Sequence, residues 1–71
     1  MQSNYKYYLK QPLVANKASY VVMKDEQGIP RGEFDAYYRP EKDSVILYTR
    51  KKSYNYHPKH TVSIYALIRD Y

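Results

Sequence analysis

The 71 residues contain no cysteine and no tryptophan, one phenylalanine and two glycines. Without cysteine there is no disulfide framework, no thiolate nucleophile and no zinc site of the cysteine-rich kind, which suits a reducing compartment and makes a cytoplasmic location the expectation. Long apolar runs are also missing. The longest, Tyr20 to Met23 and Val45 to Tyr48, are far too short to cross a bilayer, and the opening MQSNYKYYLK has no apolar export region, so no membrane partner is expected.

Histidine is scarce too, and His57 and His60 both fall in one short segment. A Ser/His/Asp arrangement has little to draw on, and no serine stands in a GxSxG-like elbow. The spacing His57-Pro58-Lys59-His60 resembles half of a metal site. However, a metal needs three or four ligands, and the neighbours here are Lys and Pro, so a solvated loop is the expected reading and neither metal nor cofactor is expected. Glu33 and Asp35 share one side of a strand, where outward charge explains them without paired-carboxylate chemistry. Residues Gly28 to Gly32 lack the Lys-Ser/Thr of a phosphate-binding loop and read as a turn. No catalytic residue is assigned, and the chain is expected not to be an enzyme.

What the chain does have is tyrosine and positive charge: eleven Tyr, and twelve Lys and Arg against seven Asp and Glu, a net charge of +5. The length supports a single domain over residues 1–71 with one core, and without disulfides stability must come from packing, with self-association as a homodimer one way to add to it. A positive field on so small a body favours nucleic acid or an acidic protein surface. Tyrosine suits both strands and contact surfaces.

Period-two alternation marks strands over Tyr5 to Lys10, Ala18 to Lys24 and Gly32 to Tyr38. Val45-Ile46-Leu47-Tyr48, within Ser44 to Arg50, is nearly unbroken and is expected in the middle of the sheet. Thr61 to Asp70 alternates Val62, Ile64, Ala66 and Ile68 against Ser63, Tyr65, Leu67 and Arg69, which predicts a last strand, with a helix from Ser63 as its competitor. Asp25 to Gly28 and Arg39 to Asp43 are turns, the first needing a positive φ at its glycine. The fold class is therefore all-β, with a short C-terminal helix as the variant: a small antiparallel curled sheet or a barrel of SH3-like or OB-like size. Phe34, Ala36, Val45, Leu47, Val62 and Ile64 should share its core.

With these faces, the side away from the core carries Tyr8, Tyr20, Tyr37, Tyr48 and Tyr65, together with Lys6, Lys10, Lys24, Arg50 and Arg69. Rings interleaved with cations are what sequence-tolerant binding of single-stranded nucleic acid needs, because bases stack on rings while cations neutralise phosphates. The same rings also serve packing, since cross-strand aromatic pairs stabilise small sheets. The segment 51–60, adjacent to Arg50, adds Lys51, Lys52, Tyr54, Tyr56, His57 and Lys59 as a basic, aromatic loop beside that face. The leading expectation is a module that binds single-stranded or duplex nucleic acid. The competing one is a protein-binding inhibitor or adaptor acting on an acidic or apolar surface, a profile that small phage-type regulators share. A third reading is a metal-free ribonuclease relying on the loop.

Overall fold

The computed structural model describes residues 5–50 and 58–71. Alternating segments become strands where predicted: β1 (Lys6–Leu9), β2 (Ala18–Lys24), β3 (Pro30–Arg39) and β4 (Ser44–Thr49), followed by β5 (Pro58–Ser63) and β6 (Leu67–Arg69). They form one six-stranded sheet in the order β5-β4-β3-β2-β1-β6. The fold is all-β, as expected, and the only helical pieces among the described residues are two three-residue 3-10 turns, Pro40–Lys42 and Ile64–Ala66.

Three details depart from the sequence reading. First, β4 lies next to the edge strand β5, and the centre belongs to β2 and β3. Its continuous apolar run is accommodated because Val45 and Leu47 enter the core while Ile46, on the opposite face, is half-buried among neighbours on β3 and β5. Second, the last element is not one strand. The 3-10 turn at Ile64–Ala66, capped by the Ser63 hydroxyl accepting the Tyr65 N–H, separates β5 from β6. A 3-10 turn rotates the chain by about a third of a circle per residue, so the two-residue period restarts out of phase. Leu67 then packs against the core and Ile68 takes the outer side. Third, β6 pairs with β1 in parallel, although every other pairing in the sheet is antiparallel.

The sheet is strongly curled. Tyr7 on β1 and His60 on β5 have β2, β3 and β4 between them, which in a flat sheet would hold their strands about 19 Å apart at about 4.8 Å per step. Instead the Tyr7 hydroxyl lies 2.5 Å from His60 Nε2, the two ring centroids are 5.3 Å apart, and they pack on Phe34 at 6.3 and 6.4 Å. Burial here pushes the Tyr7 hydroxyl pKa above its ordinary value. The curl encloses Leu9, Val21, Phe34, Ala36, Val45 and Leu47, with Tyr7, Leu13, Met23, Tyr38, Val62, Ile64 and Leu67 packed around them. All six expected core residues are in this cluster, Val62 and Ile64 at its margin.

The β2–β3 turn is organised by Asp25. Its carboxylate accepts the N–H groups of Gln27 and Ile29, both at 2.9 Å, and Arg31 Nε at 2.7 Å, while Gly28 supplies the expected positive φ of 79°. The bond from the Ile29 N–H, aided by the Arg31 and Gln27 contacts, holds the Asp25 carboxyl below its ordinary pKa. A carboxyl whose folded pKa is depressed contributes stability above its unfolded value, near 3.9, and loses it as pH falls through the folded value. Asp25→Ala should therefore lower the denaturation midpoint at neutral pH and make the loss of stability below about pH 4 shallower than in the parent. Urea midpoints from pH 2 to 7 check this, and an acid limb that runs parallel in the two proteins would refute the assignment.

Candidate functional site

Strand alternation puts Tyr8, Tyr20, Tyr37 and Tyr48 on the outer face of β1 to β4, each half-buried. Register decides their neighbours. Tyr20 and Tyr48 both stand opposite Asp35, one from each side, and Tyr8 stands opposite Val22. The Tyr37 and Tyr48 rings meet edge to face with centroids 5.2 Å apart. Val22 is only 7% exposed on this outer face, so the rings and long side chains around it form a second, thin apolar layer.

Cations lie on the rings. Lys24 Nζ sits 4.5 Å from the centre of the Tyr8 ring, and the Arg50 guanidinium carbon 4.8 Å from that of Tyr20, both within cation–π range. Arg50 also pairs with Asp35 at 3.1 Å, and its backbone N–H is bonded to the Glu33 carbonyl, which anchors the residue just past β4. Tyr20 donates to Glu33 Oε1 at 2.8 Å, and that bond is the main cause of its raised pKa. Lys10 pairs with Asp70 beyond β6, holding the Asp70 carboxyl below its ordinary range.

The outer carboxylates Glu33, Asp35 and Asp70 are thus each engaged within the sheet. Lys6 and Lys24 are direct cross-strand partners on β1 and β2, with Lys24 adding to the field that lowers the Asp70 pKa and Lys6 lining a hollow with Asp25 and Glu26. Like charges opposite one another destabilise a strand pair. Sequence reasoning put both lysines on this face but could not see that they are opposed, because β1 and β2 are joined by a long connection rather than by a tight turn whose length would set the register.

Two of the expected face residues are elsewhere. Tyr65 is in the 3-10 turn, 83% exposed and off the sheet face. Arg69 pairs in register with the core residue Leu9, so it belongs to the inner side of β6, out of reach of the tyrosine face. Both displacements follow from the phase change at Ile64–Ala66.

The expected loop over 51–60 is shorter than drawn, because Pro58, Lys59 and His60 belong to β5. Lys51, Lys52, Tyr54, Tyr56 and His57 lie outside the described residues. His60 is not a solvated loop residue: it is half-buried and turned toward Tyr7 and Phe34, because its strand position pairs it with the core residue Leu47. Among the described residues no group of three His, Cys, Asp or Glu could hold a metal ion, and no helix is long and apolar enough to cross a membrane. Compared with known proteins, the chain matches no protein-family model, no curated protein and no solved structure.

Proposed function

We propose that this chain is a binding module for single-stranded nucleic acid, acting through the outer face of β1 to β4. The observation that carries the reading is the opposed pair Lys6 and Lys24 beside Tyr8, on a face where the nearby carboxylates are already engaged. A like-charged pair costs stability when the protein is alone and is repaid when an anion bridges it. Tyr8, Tyr20, Tyr37 and Tyr48 then offer rings from four neighbouring strands, and a base stacked on such a ring contributes about 1–3 kcal/mol without regard to sequence. Lysine, arginine and tyrosine here have work as binding groups that needs no catalytic base.

A protein partner is the second reading, and one observation favours it. Glu33 and Asp35 lie in the middle of the face, where they would repel phosphates but suit a partner with hydrogen-bond donors. Salt separates the two. Fluorescence anisotropy with labelled single-stranded oligonucleotides should show affinity falling steeply and log-linearly with salt, at about 0.7 units of slope for each phosphate contact. Absence of binding at low ionic strength to any single-stranded or duplex oligonucleotide would remove the nucleic-acid reading and leave the protein partner.

A further inference from the structure

Where β1 and β6 finish, the curled sheet leaves a pocket of about 280 Å³ lined by Pro12, Leu13, Tyr38, Ile64, Arg69 and Tyr71, with the buried Leu9 beneath them. These side chains meet from one side of the sheet. Leu13, Tyr38 and Ile64 pack against the core, and Arg69 stands in register with Leu9, which puts it on the inner side of β6. Alternation then turns Asp70 outward, to Lys10, and Tyr71 back over the pocket. Arg69 is thus a cation set among apolar groups. Among the described residues Arg31, Arg39 and Arg50 each hold a carboxylate, and Arg69 holds none.

Apolar exposure collects at the same place. Of the five exposed large hydrophobic side chains among the described residues, Tyr71, at 59%, lines the pocket, and Val14 (50%) and Tyr65 (83%) directly follow the lining residues Leu13 and Ile64. Exposed apolar groups gathered around a hollow mark a contact site. We infer that this pocket receives the C-terminal residue of a peptide, its apolar side chain against Pro12, Leu13 and Ile64 and its terminal carboxylate on the Arg69 guanidinium. Charge complementarity selects the anion, and a guanidinium matches a carboxylate through two parallel hydrogen bonds. A single cation suits a monoanion. The pocket is smaller than the range of about 300–1,000 Å³ of sites that enclose a whole small molecule, so it takes one side chain, and the apolar group and the carboxylate belong to the same residue. Exposure decides between a peptide and a free acid. Small-ligand sites cover about 70–90% of their ligand, whereas Pro12, Arg69 and Tyr71 are all exposed, so this pocket holds an end group and leaves the rest of a longer chain to run over Val14 and Tyr65. The inference does not rest on the outer tyrosine face.

The test is titration of the intact protein with two acetylated tripeptides, glycyl-glycyl-leucine and glycyl-glycyl-phenylalanine, followed by amide chemical shifts. At least one should move the amides of Leu13, Ile64, Arg69 and Tyr71 saturably, and its C-terminal amide should bind at least about tenfold more weakly. Arg69→Gln, at an exposed position, should weaken the acid at least about tenfold and leave the amide within about twofold, with the amide spectrum away from β6 unchanged to show that the variant is folded. Lys6→Glu on the outer face should leave both within about twofold. If neither peptide moves the pocket amides, or acid and amide bind alike, the inference fails. It fails equally if Lys6→Glu is as damaging as Arg69→Gln, or if 4-methylpentanoate binds as tightly as the leucyl peptide, which would assign the pocket to free acids. Oligonucleotide binding on the outer face is read separately, through Lys6 and Lys24, so either reading can fail without the other.

Discussion

Leu47→Ala should lower the stability of this protein by about 2–5 kcal/mol, whereas Tyr48→Ala, one residue further along the same strand, should cost only about 0.5–1.5 kcal/mol. Leu47 is completely buried inside the curl between β3 and β5, so truncating it removes apolar contacts and leaves a cavity that the close-packed core closes only in part. Tyr48 faces outward, half-buried, where it makes an edge-to-face contact with Tyr37. A domain of this size has a total stability of about 4–10 kcal/mol, so Leu47→Ala should remove a large share of it. Urea denaturation followed by circular dichroism measures both. Equal losses at the two positions would mean that the outer tyrosines are a second core rather than a contact surface, and the proposed binding face would go with them.

Lys6→Glu should weaken binding to single-stranded oligonucleotides at least about tenfold at low salt and reduce the salt slope by about 0.7, the increment for one phosphate contact. The double change Lys6→Glu with Lys24→Glu should reduce the slope by about 1.4. These lysines are opposite each other in the β1–β2 register, so the single reversal replaces a repulsive cross-strand pair with an attractive one. Its melting temperature should therefore rise while its affinity falls. Opposite signs in the two measurements are the signature of charges kept for a ligand. A structural role for Lys6 predicts that both fall together, and a protein interface insensitive to salt predicts that neither slope nor oligonucleotide affinity changes.

Much of the fold was legible because the information is local. β2 begins and ends where its alternation does, and the turn at Gly28 adopts the positive φ that only glycine takes easily. Core membership followed from face assignment, which a period of two makes nearly automatic for Phe34, Ala36, Val45 and Leu47. The C-terminal segment was misread because its composition alternates through a place where its backbone does not. The short turn after Ser63 carries the chain from one edge of the sheet to the other, and such a turn is needed only because the sheet is curled. Local pattern carries no record of that curl. Tyr65 and Arg69 left the candidate face for this reason alone.

The candidate site divides in the same way. That Tyr8, Tyr20, Tyr37 and Tyr48 share a face is a property of the sequence, because neighbouring side chains on a strand point to opposite sides. That Glu33 and Asp35 are taken up by Tyr20 and Arg50, and that Lys6 is set against Lys24, depends on strand register, which long-range pairing decides. The register shifts at Arg31, between β2 and β3, and at Lys59, between β4 and β5, depend on it as well. Pro30 was the one local hint, since proline cannot donate to a ladder and sits readily at the start of a strand or beside a bulge. By itself, then, the sequence determined an all-β chain with a tyrosine-rich, positively charged outer side and a core drawn from alternate strand positions. Only the tertiary structure decided which charges neutralise one another, which stand opposed, and where the curled sheet opens into a pocket, because each of these is a contact between residues far apart in the chain.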